Sequence, residues 1–133
     1  MQQHSHKIRV RYAECDQMGF VHHSIYALYF EEARTEILRS KGISYKELED
    51  DGIIMPLRSM SLSFNKAGKY DDLLTIEVQI VGQPEIRCKF EYKTINQDGE
   101  LLNTGETELF FVRKHDLRPI KLPEKYKKFL QTT

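Results

Sequence analysis

Tyr12-Ala-Glu-Cys-Asp16-Gln-Met-Gly19-Phe-Val-His-His23-Ser24-Ile-Tyr26 is the stretch on which the fold turns. Ahead of it, Lys7-Ile-Arg-Val-Arg-Tyr12 alternates charged and apolar residues, the period of a half-buried strand. Beyond it, Tyr26, Tyr29/Phe30, Ala33 and Ile37 recur at helical spacing, with Glu31, Arg34, Thr35, Arg39 and Lys41 on other faces. The quoted segment is therefore a strand-to-helix junction that carries a loop glycine and a carboxylate, Asp16. Gly42 is placed to stop the helix at C′. Ser44-Tyr-Lys-Glu47 reads as a capping box opening a short second helix that ends near Asp51-Gly52.

From Gly52 onward the period changes from helical to strand-like. Met60, Leu62 and Phe64 alternate with serines, Asn65–Asp72 reads as a turn, and Leu74, Ile76, Val78 and Ile80 alternate with Thr75, Glu77 and Gln79. After the Gly82-Gln-Pro84 break, Ile86, Cys88, Phe90 and Tyr92 are predicted inward against five charged residues. Asn96-Gln-Asp-Gly99 is a hairpin turn, and a last strand runs from about Glu100 to Arg113 with Thr107, Leu109 and Phe111 on one side. The tail, Pro123 to Leu130, is suited to a short helix with Pro near its start. The class is α+β, with one long helix against one face of a curled antiparallel sheet of about five strands. Seven Tyr and seven Phe, and Phe110 and Val112 opposite Phe111, predict that part of the second face is not wet. A homodimer is the simple solution.

A chain of 133 residues suits a single domain, residues 1–133. Lys+Arg and Asp+Glu balance at 20 each, so no basic excess points to nucleic acid as a partner. The N-terminus has no apolar signal-type run and no segment approaches membrane-span length, which reads as cytoplasmic with no membrane span. Two distant cysteines, Cys15 and Cys88, suit free thiols in a reducing compartment.

A carboxylate delivered to a helix N-terminus brings a nucleophile or base together with backbone N–H groups able to stabilise an oxyanion. The ordinary alternative is that Asp16 is a loop or capping residue, and on the residues alone that alternative leads. Adjacent His22 and His23, with His4 and His6, invite a metal, but no ligand set of the zinc type occurs. No metal and no cofactor are expected, and His4 and His6 read as a solvated tail. His22 could line the pocket or titrate near neutrality. Cys15 with the two histidines raises a Cys-His nucleophile, yet neighbouring side chains in an extended segment point apart, so a small buried thiol is the better reading. Among the acids, only Glu14 stands out as a candidate accessory group.

The chain resembles the 4-hydroxybenzoyl-CoA thioesterase branch of the hotdog-fold acyl-CoA thioesterases, including those associated with the Tol-Pal system. Three segments in order carry the likeness: Arg11-Tyr-Ala-Glu-Cys-Asp16-Gln-Met-Gly19-Phe-Val with Tyr26, Phe30-Glu-Glu-Ala-Arg34, and Phe64-Asn-Lys-Ala-Gly-Lys-Tyr70-Asp-Asp72-Leu. The resemblance implies a sheet wrapped around a central helix, subunits paired edge to edge as a homodimer or homotetramer, and a site at the dimer interface. It puts the catalytic aspartate on Asp16 and the oxyanion donor on the backbone amide of His23, with Gly19 shaping the approach. Ser24 and Ile25 stand where the family has a small polar or Asn-like residue. Thioester hydrolysis needs a nucleophile and an oxyanion donor, while the thiolate leaves without much help. Asp16 could attack directly or activate water.

An acyl-CoA substrate carries phosphates, for which Lys66, Arg87 and Lys89 are candidates, the last two projecting from one strand face. Tyr26 and Met60, with Tyr29 and Phe30, could contact the acyl group, although an aromatic stripe at helical spacing is more often core. A hotdog dehydratase and a non-catalytic acyl-thioester binding module are the rival readings. The first wants a His with a separated acid in another motif, and the second does not need Asp16.

Overall fold

The computed structural model describes residues 2–130. Strand β1 (Gln2–Arg9) leads through a short 3₁₀ turn, Tyr12–Glu14, and a tight loop to helix α1 (Ile25–Ser40) and then α2 (Tyr45–Asp50). Strands β2 (Ile53–Ile54), β3 (Leu57–Phe64), β4 (Leu73–Val81), β5 (Arg87–Ile95), β6 (Leu101–Phe110) and β7 (Val112–Arg113) follow, and α3 (Glu124–Lys127) lies near the end. One antiparallel sheet has the order β1-β4-β5-β6-β3, and β2 and β7 pair separately. The α+β architecture and the five-stranded sheet are those expected. No helix among the described residues is long and apolar enough to cross a membrane.

The helix forms where the period placed it, and its end is closed as Gly42 required. Ile43 N–H donates to Leu38 O and Gly42 N–H to Arg39 O, both at 3.0 Å, with Gly42 at φ +91°. These are the two bonds of a Schellman cap, and Leu38 and Ile43 supply its apolar contact from buried positions. Ser44 Oγ accepts from Glu47 N–H at 3.1 Å, the cap expected for α2.

Tyr26, Tyr29, Phe30, Ala33 and Ile37 are all buried against the sheet. Each large side chain among them contributes about 1.5–3 kcal/mol through burial. The closest approach is at Phe30, whose ring stacks on Tyr92 at 4.1 Å and covers Gly105. A Cβ on Gly105 would come within 2.5 Å of that ring, so the residue is glycine to let the helix sit down on β6.

Four local expectations are corrected. Strand β1 starts well before Lys7: His4, His6 and Ile8 face inward opposite Val78, Ile76 and Leu74. His4 and His6 are thus strand residues and not a tail, and His6 Nε2 lies 3.1 Å from Glu32 of α1. Pairing with β4 recruits them, a tertiary effect that an inward-facing polar residue hides from hydrophobic periodicity. Arg34 is buried, with its guanidinium among Tyr45 and Tyr92, because the apolar stripe of α1 is wider than one residue per turn. Ile86 is exposed ahead of β5. The last strand divides at Phe111, where the chain leaves β6 to pair with β2.

The second face of the sheet is polar. Cross-strand rows such as Ser5–Glu77–Lys93–Thr104–Ser63 and Gln3–Gln79–Glu91–Glu106–Ser61 run over it. The aromatic exception is Phe110, over which Arg58 and Arg87 stack at 5.4 and 5.6 Å, whereas Val112 is buried through the small β2–β7 sheet. Strand β3 is an edge, bonded on one side only to β6 and at least partly exposed throughout. An edge strand with free backbone groups is a ready template for another strand.

Candidate active site

The junction between β1 and α1 folds as a miniature hairpin. Cys15 pairs with Val21, Asp16 N–H donates to Phe20 O at 2.8 Å, and Gly19 N–H donates to Asp16 O at 3.0 Å. Gly19 sits at φ +83°, which is why a glycine closes the loop. Asp16 Oδ1 accepts the N–H groups of Met18 at 2.9 Å and Phe20 at 3.2 Å. The loop role considered for Asp16 is therefore real, but it occupies one oxygen. Oδ2 has no partner among the described residues.

The hairpin is pinned on two sides. Val21 N–H donates to Gly68 O at 2.9 Å, Phe20 bridges Lys69, and Gly68 N–H donates to the Tyr26 hydroxyl at 3.1 Å. On the helix side, His22 N–H donates to Glu14 O at 3.0 Å, while the Glu14 carboxylate accepts the Tyr29 hydroxyl and the Arg11 N–H, each at 2.8 Å. Glu14 is thereby the latch between the hairpin and α1. Burial pushes its carboxyl upward, but the bonds from Arg11 and Tyr29 outweigh burial and hold it below the ordinary glutamate range. The same burial, with the Glu14 charge adjoining, pushes the Tyr29 hydroxyl up.

At the turn into α1 three backbone amides are committed. His22 N–H goes to Glu14 O, Ser24 N–H to the His22 ring Nδ1 at 3.3 Å, and Ile25 N–H to His22 O at 2.9 Å. His23 N–H alone of these four has no acceptor among the described residues. His22, considered for the pocket, is a cap: its Nδ1 also lies 2.8 Å from Ser24 Oγ. The orphan amide at His23 sits at the positive end of the α1 dipole, where developing negative charge is stabilised.

His23 opens on a cleft of about 260 Å³ lined by Val21, Tyr26, Phe64, Asn65, Lys66 and Ala67. The structure so brings together three of the expected residues, His23, Tyr26 and Lys66, and adds Phe64, whose ring packs 5.7 Å from that of Tyr26. Lys66 is paired with Glu100. Asp16 and Gly19 belong to the adjoining hairpin and are not walls of this cleft in one chain. Met60 is exposed two residues before Leu62 on the edge strand and does not line it. Arg87 and Lys89 are brought elsewhere. Phe64 pairs with Asn103 and Arg87 with Phe110, so the two positions are seven residues apart along β6, about 23 Å at the usual strand rise. A larger depression of about 420 Å³, on the polar face of the sheet, is lined by none of the expected site residues.

Cys15 packs against the core while Asp16 turns outward, as the alternation required. Burial first, and then the charges of Asp16, Glu14 and Asp72, push its thiol up, which keeps it protonated and poorly nucleophilic. The one sequence signal for the Glu14 latch is an acid beside the Asp16 loop; alternation from Cys15 puts Glu14 on the Asp16 side, and the 3₁₀ turn Tyr12–Glu14 is what buries it. Its partner Tyr29 had no such signal.

Comparison with known proteins bears on the family of the chain. The profile of the thioesterase-like superfamily matches residues 10–130. The acyl-CoA thioester hydrolase YbgC of Escherichia coli O157:H7 is 29% identical over 117 residues, covering 88% of this chain and 87% of that protein. Among solved structures, a DHNA-CoA thioesterase from Staphylococcus aureus superposes with a TM-score of 0.89 at 33% identity, covering 92% of this chain and 82% of the other. The hypothetical protein TT1821 from Thermus thermophilus gives 0.89 at 31% identity, covering 95% of each chain.

Proposed function

The chain belongs to the thioesterase-like superfamily, and on that premise we propose that it hydrolyses an acyl-CoA thioester to the free acid and coenzyme A at the Asp16–His23 junction. The observation that carries the reading is the pair of groups left over when the junction has folded: Asp16 Oδ2 and His23 N–H. The amides of His22, Ser24 and Ile25 and the other oxygen of Asp16 are spent on the fold. A carboxylate oxygen held by a fixed turn and an amide at a helix N-terminus are the two elements that thioester hydrolysis requires.

In the proposed reaction the thioester carbonyl oxygen turns toward His23 N–H. Asp16 Oδ2 either adds to the carbonyl carbon, giving an anhydride that water then opens, or removes a proton from an attacking water. In both cases the C–S bond breaks with its electron pair on sulfur, and coenzyme A leaves as a thiolate. The His23 imidazole takes no part. Tyr26 and Phe64 wall the cleft for the acyl group, and Lys66 at its mouth meets the coenzyme.

The active unit in this reading is a homodimer, or a tetramer built of such dimers, acting in the cytoplasm. An antiparallel pairing of β3 with a second copy about its middle sets Leu57 and Arg58 opposite Phe64 and Ser63 of that copy. Arg58, Arg87 and Lys89, remote from the cleft in their own chain and on the polar face of the sheet, then meet the phosphates of a coenzyme that extends out of the other subunit's cleft across the β3 seam. The surface ion pairs they make with Glu106 and Glu108, 3.3 to 3.7 Å long, are of the kind a phosphate displaces at small cost.

Release of free thiol from a panel of short, long and aromatic acyl-CoAs tests the reaction; no release from any of them contradicts it. A hybrid of Asp16→Asn and Arg58→Ala/Arg87→Ala subunits tests the dimer. It should recover one site of wild-type KM, whereas contacts made within one chain leave both sites defective.

A further inference from the structure

The inner face of the sheet next to the cleft contains polar groups that the fold does not use. Asn103 and Thr94 are 0% exposed, and the Asn103 Oδ1 and Nδ2 and the Thr94 Oγ1 have no hydrogen-bond partner among the described residues. The two residues are direct cross-strand partners on β5 and β6, so their side chains lie on one face, about 5 Å apart at Cβ. Asn103 is also the cross-strand partner of Phe64, a wall of the cleft. The row Thr94–Asn103–Phe64 thus runs from the core to the cleft.

This placement is built into the backbone. The register slips between Thr94 and Ile95, so Leu102 is an extra residue on β6, and Leu102 and Asn103 are both fully buried in succession. Asn103 keeps the inward phase of Gly105, Thr107 and Leu109, and the slip beside it buries Leu102 as well. A buried amide with both ends unpaired costs stability that Leu or Val at the same place would not. Groups kept at such a cost are characteristic of recognition sites.

We infer that Asn103 and Thr94 form a polar recognition subsite at the inner end of the acyl pocket, reached past Phe64, for an acyl group bearing a hydroxyl or keto oxygen. The inference rests on the thioesterase reading and specifies its substrate. Asn103 offers a donor and an acceptor side by side, and Thr94 adds a hydroxyl that can do either, which matches a hydroxyl group on both counts. All three groups are neutral, so they do not compensate the charge of a buried carboxylate and favour an uncharged oxygen substituent. Phe64 is 52% exposed on the edge strand, so its ring can turn aside without breaking core packing.

The test is thiol release from two matched pairs, butyryl-CoA with 3-hydroxybutyryl-CoA and phenylacetyl-CoA with 4-hydroxyphenylacetyl-CoA. The wild type is expected to favour the oxygenated member of at least one pair by about tenfold or more in kcat/KM, as a site built to hydrogen-bond its ligand does. Asn103→Leu should erase that preference, leave the plain member within about threefold and not lower the melting temperature. Thr94→Val, of the same shape without the hydroxyl, should reduce the preference at least partly and gives a second reading if Asn103→Leu does not fold. A wild type active on the pairs without preference overturns the subsite alone, as does Asn103→Leu or Thr94→Val lowering both members of a pair equally. A wild type inactive on all four but active elsewhere in the acyl-CoA panel overturns the subsite alone, and one inactive on the whole panel overturns the thioesterase reading with it.

Discussion

The Asp16 end of the molecule and its Arg87 end both gather charged side chains at the surface, but the charges are held by different means. Around Asp16 the bonds are mostly to backbone: the hairpin, the Gly68 contact and the Glu14 latch hold the junction and leave Asp16 Oδ2 and His23 N–H without partners among the described residues. Around Arg87 the bonds run between side chains, with Arg58 and Arg87 sharing Glu108 over the Phe110 ring and Lys89 facing Glu106. The first region is tied down through its backbone; the second is held by exposed side-chain pairs. We assign the proposed chemistry to the first, because an oxyanion donor must be in place before charge develops. Loose binding of a charged ligand belongs to the second.

If that contrast is right, damage at the first region appears in kcat and damage at the second in KM. Asp16→Ala removes both the free oxygen and the turn, and should lower thiol release by about 10³-fold or more. It should also cost about 1 kcal/mol in urea denaturation through the lost turn bonds. His23→Pro deletes the N–H and should cost about 100-fold in kcat, whereas His23→Ala, which keeps it, should stay within about threefold. Equal loss in the two His23 variants would transfer the role to the imidazole and break the contrast.

Smaller effects sharpen it. Glu14→Gln weakens the latch without touching the cleft, and should lower stability by about 1–3 kcal/mol, with a loss in kcat rather than KM. Because the Glu14 carboxyl is held below its ordinary value, its contribution is complete above the unfolded glutamate pKa of about 4.3 and is lost as pH falls through the lower folded value. Acid titration of melting temperature should therefore bring wild type toward Glu14→Gln below that pH, with the two furthest apart near neutrality. Arg87→Ala with Lys89→Ala should raise KM several-fold and leave kcat within about twofold, with the effect shrinking as salt is added. A kcat loss there would mean that the two ends are not divided as described.

Much of this was legible from the residues and some was not, for physical reasons. Alternation and helical spacing located α1, its Gly42 cap and the four long strands, since burial of one face imposes those periods directly. They missed the early start of β1, because His4 and His6 fill inward positions through pairing with Leu74–Val78, which no local pattern encodes. They put Arg34 on an outer face, although Tyr45 and Tyr92, far off in sequence, bury it. At the candidate site, the hairpin loop and the helix-start amide were readable from Asp16, Gly19 and the helix start. The distance of Arg87 from the cleft was not, as it depends on register along β6. Asn103 shares the inward parity of Thr107 and Leu109, but that its buried amide is left without a partner depends on packing that no periodicity encodes.

Asp16→Asn is the most direct measurement of the central claim. It keeps an oxygen able to close the turn on Met18 and Phe20 and replaces only the free oxygen by an amide. Melting temperature should remain within a few degrees of wild type while kcat for thiol release from the best acyl-CoA falls by about 10³-fold or more. A folded Asp16→Asn enzyme within tenfold of wild type would show that Asp16 serves the loop alone and that the hydrolytic centre lies elsewhere.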